Sequence, residues 1–211
     1  MKLNSFERLV VNQPLRPFTQ RWLEARPLRR LGGPVSGRVL EIGCGQGLGA
    51  QIIQRDFGAD EVHGFDLDER QLRRAQQRLK SQASKTSAVN GDASSIRVWR
   101  GSADQIPVEC NSYDAAFDFN VLHHMPDWQS GVSEIARVLR PGGKFYLLET
   151  LRFFLNNPIN RVLMKHPRKN RFDVADLQAE LRGNGFSIRG QRTIPGCFHW
   201  LVAELDPPSA S

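Results

Sequence analysis

Val39-Leu40-Glu41-Ile42-Gly43-Cys44-Gly45-Gln46-Gly47 is the stretch on which the fold turns. A short apolar run at 39–42 reads as a strand, and 48–57 reads as a helix. Between them stand three glycines at alternate positions. Without Cβ atoms they let the chain turn sharply and lie flat against a ligand. The N-terminus of the helix that follows offers N–H groups to a negative or polar ligand group. Asp66 ends the next strand candidate, 62–65, 19 residues after Gly47. A carboxylate there can accept both hydroxyls of a ribose, as in nucleotide-binding α/β folds.

The same rhythm continues away from this loop. Residues 69–79 read as a helix with Leu72, Ala75 and Leu79 on one face, 96–99 as a third strand and 113–121 as a fourth. A helix at 128–139 is ended by Pro141-Gly142-Gly143, and 144–150 is a fifth strand. After a basic stretch, 173–182 reads as a helix stopped by Gly183, with closing strands at 186–192 and 199–205. Residues 81–95, rich in Ser, Ala, Asn and Gly, read as a surface loop. Upstream, 5–31 reads as helical, interrupted by Pro14 and Pro17. The alternation predicts an α/β fold, Rossmann-like and doubly wound, with a mostly parallel sheet and helices on both faces. Ligands in such sheets sit at the carboxyl ends of the strands, near the reversal of strand order. The expected organisation is a single domain: a helical cover at 1–35, a cofactor-binding core at 36–150, a basic insertion at 151–172 and closing elements at 173–205.

Composition agrees with one soluble domain: 211 residues, 24% charged and 40% hydrophobic. Gly and Pro are near average, which excludes collagen-like repetition and low-complexity disorder. No uncharged apolar run approaches the ~18 residues of a membrane span. The opening residues lack the apolar core of a secretory leader, and three cysteines (Cys44, Cys110, Cys197) show no pairing pattern. A reducing, cytoplasmic location is therefore expected. The charge is uneven. Residues 1–38 carry eight Lys/Arg against Glu7 and Glu24, and 151–172 carry six and no acid, so the rest of the chain has a net charge of −5. Two basic segments on a mildly acidic body point to an anionic partner or substrate.

Two cofactor classes suit the glycine loop. Gly45-x-Gly47-x-x-Ala50 matches the dinucleotide fingerprint in form. Glu41, however, places a carboxylate beside the loop. It is awkward for a pyrophosphate but suited to a ligand carrying an ammonium and a sulfonium, which tips the reading toward S-adenosylmethionine. The residues 41–47 also resemble the first motif of the class I S-adenosylmethionine-dependent methyltransferases. Phe65-Asp66-Leu67-Asp68 resembles that family's acidic motif, 101–107 its adenine-contacting loop, 113–125 its fourth-strand motif and 134–143 the approach to strand five. The resemblance covers about residues 36–150. It implies seven strands with an antiparallel last strand.

Residue roles follow from the resemblance. It implies that Gly43, Cys44, Gly45 and Gly47 form the cofactor loop, with Glu41 organising the methionine end. Asp66 takes the ribose, Leu67 packs on the adenine, and Asn120 and Val121 lie under the methyl-bearing sulfur. The adenine loop often has Asp where this chain has Ser102, so Ser102, Ala103 and Asp104 are all candidates there. Cys44 reads as a small residue in a crowded loop rather than a nucleophile.

Methyl transfer mainly needs alignment of nucleophile, methyl and sulfur. A base is required only if the nucleophile arrives protonated, and histidine is suited to that role. His124, then His123, are the candidates after strand four, against the alternative that both are structural features of the turn. Asp118 stands in a central strand that rarely tolerates a lone charge, and it is read as orienting a histidine or a substrate amine, or as pairing with a nearby arginine. No metal site is visible.

A small-molecule acceptor is expected and no nucleic acid, since the run after strand four lacks the Asn/Asp-Pro-Pro-aromatic pattern of amino-methylating DNA enzymes. The basic segments also carry apolar side chains. They read either as flanking a pocket for a lipophilic or anionic acceptor, with peripheral contact to an anionic membrane surface, or as a solvated basic face. The competing functions are an NAD(P)-dependent oxidoreductase, a noncatalytic S-adenosylmethionine-binding regulator and, weakest for want of an aromatic-basic motif, a nucleic-acid binder using the basic face.

Overall fold

Val39, Leu40 and Ile42 are wholly buried because their strand lies between two others and is covered on both faces, which is why the run is continuously apolar. The computed structural model describes residues 13–90, 95–158, 167 and 170–207, without the side chains of 82–90. Seven strands form one sheet: β1 (Arg38–Ile42), β2 (Glu61–Asp66), β3 (Ile96–Arg100), β4 (Tyr113–Phe119), β5 (Leu139–Thr150), β6 (Phe186–Ile194) and β7 (Phe198–Leu205). Their order is β3-β2-β1-β4-β5-β7-β6. The first five are parallel, and β7 runs antiparallel to both of its neighbours. The order reverses between β1 and β4, which opens a crevice at their carboxyl ends.

Helix α1 is built from Arg16–Thr19, a wider turn Gln20–Ala25 and Arg26–Gly32 in succession. Next come α2 (Leu48–Ile52, continuing through Ile53–Phe57), α3 (Glu69–Asn90), α4 (Trp128–Val138), α5 (Arg152–Asn156) and α6 (Val174–Gly183). One face of the sheet packs Val39, Phe117, Tyr146 and Val202 with side chains of α1 and α2. The other packs Leu40, Ala116, Phe145 and Leu201 with α4 and α6. Helix α6 starts on a reciprocal cap, the Asp173 side chain accepting from backbone N–H groups while Asp176 answers the Asp173 N–H.

Helix α1 survives two prolines for different reasons. Pro17 lies in its first turn, where a missing N–H removes no internal bond. Pro27 is deeper, and its missing N–H leaves the Leu23 carbonyl without its helical donor. The Trp200 indole N–H donates to that carbonyl at 3.1 Å and so ties α1 to β7. Of the helix expected over 5–31, residues 5–12 lie outside the described residues.

Two expectations are corrected. Residues 81–90 are not a loop: α3 runs unbroken to Asn90. The segment is polar but holds no Gly or Pro before Gly91, so nothing in it stops the helix. Strand five begins at Leu139, not at 144, because Leu139 already pairs with Tyr113 across an irregularity that absorbs Pro141-Gly142-Gly143.

Candidate active site

The crevice between β1 and β4 is a cleft whose walls come from four strand ends. β1 contributes Glu41 and the loop Gly43, Cys44 and Gly45; β2 contributes Phe65, Asp66 and Leu67. Gly101, Ser102 and Ala103 follow β3, and Asn120, Val121 and His124 follow β4. Helix α1 adds Arg16 and Gln20 from across the opening.

Two glycines carry the geometry. Gly43 has φ +59°, and a Cβ there would lie 2.5 Å from Val121 Cγ2, so its bareness lets the loop press against the turn after β4. A Cβ on Gly49, in the first turn of α2, would lie 1.8 Å from Glu41 Oε1. The buried carboxyl of Glu41 therefore occupies the space a side chain would take.

Glu41 is 2% exposed, and its Oε2 has no hydrogen-bond partner among the described residues. Burial raises its carboxyl well above the ordinary range, opposed by the Ala50 N–H and Arg16 and reinforced by Asp66 and Asp118. Gln71, buried on the same cleft, also has an unpartnered Oε1. Orphaned buried acceptors are costly unless a ligand donates to them. Both fit a ligand bearing N–H and O–H donors. Asp66 is held by two backbone donors, Gly45 N–H at 2.9 Å and Asp68 N–H at 2.7 Å, which fixes its carboxyl at the end of β2. Burial also raises the Asp66 carboxyl.

The lip beyond β3 is braced from behind. Glu134 accepts from the Ile106 N–H at 2.7 Å, and Arg137 donates to the carbonyls of Ile106 and Val108 at 2.8 Å. Leu67, just after β2, is 39% exposed on the cleft, a flat apolar surface open to a ring. Cys44 is buried against Gly64, and burial together with Glu41 and Asp66 pushes its thiol up, away from the thiolate a nucleophile needs.

Of the residues expected from the sequence, Glu41, Gly43, Cys44, Gly45, Asp66, Leu67, Ser102, Ala103, Asn120, Val121 and His124 come together on the cleft. Four do not line it. Gly47 caps the start of α2 in a left-handed conformation and faces Ala75, and Asp104 is exposed. His123 is turned inward with its Nδ1 2.5 Å from Glu149. Asp118 is wholly buried and accepts from the Val121 N–H at 2.8 Å, so it braces the turn instead of facing a substrate. Arg16, Gln20, Gln71 and Glu149 were not anticipated. The signal for Glu149 was present, a charge in an otherwise apolar strand, as for Asp118. The signals for Arg16 and Gln20 depend on where α1 docks.

Residues 40–147 match the family model described as a methyltransferase domain. A protein of Mycolicibacterium smegmatis named "Probable S-adenosylmethionine-dependent methyltransferase" is 32% identical over 84% of this chain and 62% of its own length. Phthiotriol/phenolphthiotriol dimycocerosates methyltransferase 1 of Mycobacterium ulcerans is 30% identical over 74% of this chain and 47% of its own. The demethylmenaquinone methyltransferase of Lactococcus lactis is 30% identical over 60% and 47%. The chain thus spans about half to three-fifths of the length of these curated relatives. A solved S-adenosylmethionine-dependent methyltransferase of Aquifex aeolicus superposes with a TM-score of 0.72 at 15% identity, covering 97% of this chain and 100% of that one, a likeness of fold.

Proposed function

The chain belongs to the methyltransferase-domain family, and from that premise we propose that it transfers a methyl group from S-adenosylmethionine to a small lipophilic or anionic acceptor. The observation that carries the proposal is the pair of buried carboxyls at adjacent strand ends, Glu41 with an orphaned oxygen and Asp66 fixed by backbone donors. Glu41 is placed to accept from the ammonium of the cofactor, and Asp66 from the ribose hydroxyls. Leu67 offers the adenine an apolar surface, with the Ser102 hydroxyl as an acceptor near it. Arg16, ion-paired with Glu24, lines the same cleft as Glu41. The bound cofactor supplies an electrophilic methyl group on a sulfonium. The protein aligns the acceptor and excludes water, and His124 is the side chain on the cleft able to take a proton from it.

The acceptor class rests on exposed apolar side chains of α1 and α5. Phe18, Leu23 and Phe153 are 61%, 60% and 76% exposed. Leu23 is tied to Trp200, whose ring lies 6.2 Å from Phe198, and Phe198 lies 5.5 Å from Phe154. These contacts join α1 to α5 through the buried Trp200, and exposed Arg21, Arg26 and Arg152 stand on the same two helices, a composition suited to the surface of an anionic membrane. Names of relatives support lipid-related acceptors, among them dimycocerosates, a demethylmenaquinone and a fatty acid. No described helix is long and apolar enough to cross a membrane. The test supplies S-adenosylmethionine labelled on the methyl group with a quinol, a fatty acid and a polar amine as separate acceptors. Label in the organic extract with the first two supports the proposal. Label transferred to the amine alone refutes the acceptor class, as does equal sedimentation with neutral and phosphatidylglycerol vesicles for the membrane contact.

A further inference from the structure

The turn after β4 forms the floor of the cleft and is held from beneath by a cluster that does not itself reach the cleft. Asp118 on β4 and Glu149 on β5 are both wholly buried. Each carboxyl lies within the field of the other, and Glu149 raises Asp118 further. Burial raises both, Glu149 to about 7 and Asp118 well above its ordinary range. Together they gather the donors of the turn. Glu149 Oε1 accepts from the N–H groups of Val121 at 3.1 Å and Leu122 at 2.7 Å, and Asp118 accepts from the same two at 2.8 and 3.3 Å. The remaining oxygen, Glu149 Oε2, takes His123 Nδ1 at 2.5 Å. The His123 ring lies 4.2 Å from that of His124, and His124 lines the cleft.

We propose that Glu149, acting with Asp118, is the positioning residue of the cleft floor: it fixes the 121–124 turn through its backbone N–H groups and aims His124 through the anchored ring of His123. The proposal deepens the methyltransferase reading and rests on it for its catalytic meaning. The sequence of contacts has one chemical consequence. In its ionised form the Glu149 carboxylate can only accept, and it then selects the tautomer of His123 that carries hydrogen on Nδ1. A structural carboxylate elsewhere in the core would leave that tautomer and the neighbouring ring unchanged.

Glu149→Gln tests this with little change of volume. One oxygen must still face the Val121 and Leu122 N–H groups, which turns the amide NH₂ toward His123 Nδ1. Two donors cannot share that contact, so His123 moves its hydrogen to Nε2. Nitrogen-15 spectra of the histidine side chains in the ligand-free protein are expected to show that exchange at His123 together with displaced His124 resonances. Calorimetry with S-adenosylhomocysteine is expected to show about tenfold weaker binding, because Asn120 and Val121 on the loosened turn line the cleft. Unmoved His124 resonances overturn the proposal, even if the melting temperature falls. If Glu149→Gln does not fold, His123→Phe keeps the ring and removes its anchor, and the same displacement at His124 is required of it. A wild-type protein that takes up no S-adenosylhomocysteine defeats the methyltransferase reading instead, and the spectra still decide whether Glu149 aims His124.

Discussion

Gly49→Ala sets two effects of similar size against each other and separates stability from binding. Alanine is favoured over glycine inside a helix by about 1 kcal/mol. Against that, the new Cβ would lie 1.8 Å from Glu41 Oε1, 2.8 Å from its Cδ and 3.1 Å from Phe119 Cδ2. Overpacking of this kind costs about 1–3 kcal/mol. The backbone of α2 and the ring of Phe119 are packed on the core side, so the Glu41 carboxyl yields, and its open direction is the cleft. The net loss of stability is about 1 kcal/mol, which lowers the melting temperature by about 2–4 °C for a chain of this length. Binding suffers more, because a displaced carboxyl both abandons the ammonium and intrudes on its space. Losing one charge-assisted hydrogen bond weakens affinity by at least about tenfold. Differential scanning fluorimetry and calorimetric titration with S-adenosylhomocysteine read the two effects separately. A melting temperature that falls as expected while affinity stays at the wild-type value would show that Glu41 does not touch the ligand.

Three further outcomes are expected. Asn120 adopts φ +66° and accepts from Thr150 Oγ1 at 2.7 Å; Asn120→Gly keeps the conformation whereas Asn120→Ala strains it by about 1–2 kcal/mol, so urea midpoints should rank glycine above alanine, and the reverse order refutes the strain. His124→Ala should lower the rate of methyl transfer while leaving S-adenosylhomocysteine affinity unchanged, and an unaltered rate removes His124 from the site. Burial holds the Glu149 carboxyl at about 7, above its unfolded value, so the folded state binds more protons between about pH 4.5 and 7; its contribution is complete at the acid end and is lost as pH rises through 7, by about 3 kcal/mol in all and about 1 kcal/mol of it between pH 6 and 8. Asp118, His123 and the cross-strand His199 are the neighbouring titratable groups, and His199, lowered to about 4 by burial, acts in the opposite sense in acid. Urea unfolding of wild type and Glu149→Gln at pH 6 and 8 should therefore give a wild-type loss that the variant lacks, and parallel losses contradict it.

Much of this architecture was legible because its signals are local. Three alternate glycines after an apolar run have few uses other than a strand-to-helix turn, and Asp66 at the end of the next strand follows from spacing alone. What stayed hidden needed register or docking. Glu149 gains its role only when β5 lies beside β4 in the register that sets Phe119 opposite Leu148, and when the turn folds back over both. Arg16 and Gln20 reach the cleft because Trp200 captures the carbonyl freed by Pro27 and so fixes α1 on the sheet, a contact between residues 177 positions apart. The misplaced loop at 81–90 has a simpler cause. The segment is polar, yet it holds no residue able to end α3. His123 and His124 are adjacent in sequence yet point to different surroundings, one to Glu149 and one to the cleft, a division set by the tight turn Leu122–His124.

The measurement that bears most directly on the central claim is a calorimetric titration of the wild-type protein with S-adenosylhomocysteine and, in parallel, with NADH. Saturable one-to-one heat with the adenosyl ligand and none with the dinucleotide is the predicted result. Heat with NADH alone would contradict the account, since it would mean that the carboxyl of Glu41 tolerates a pyrophosphate beside it.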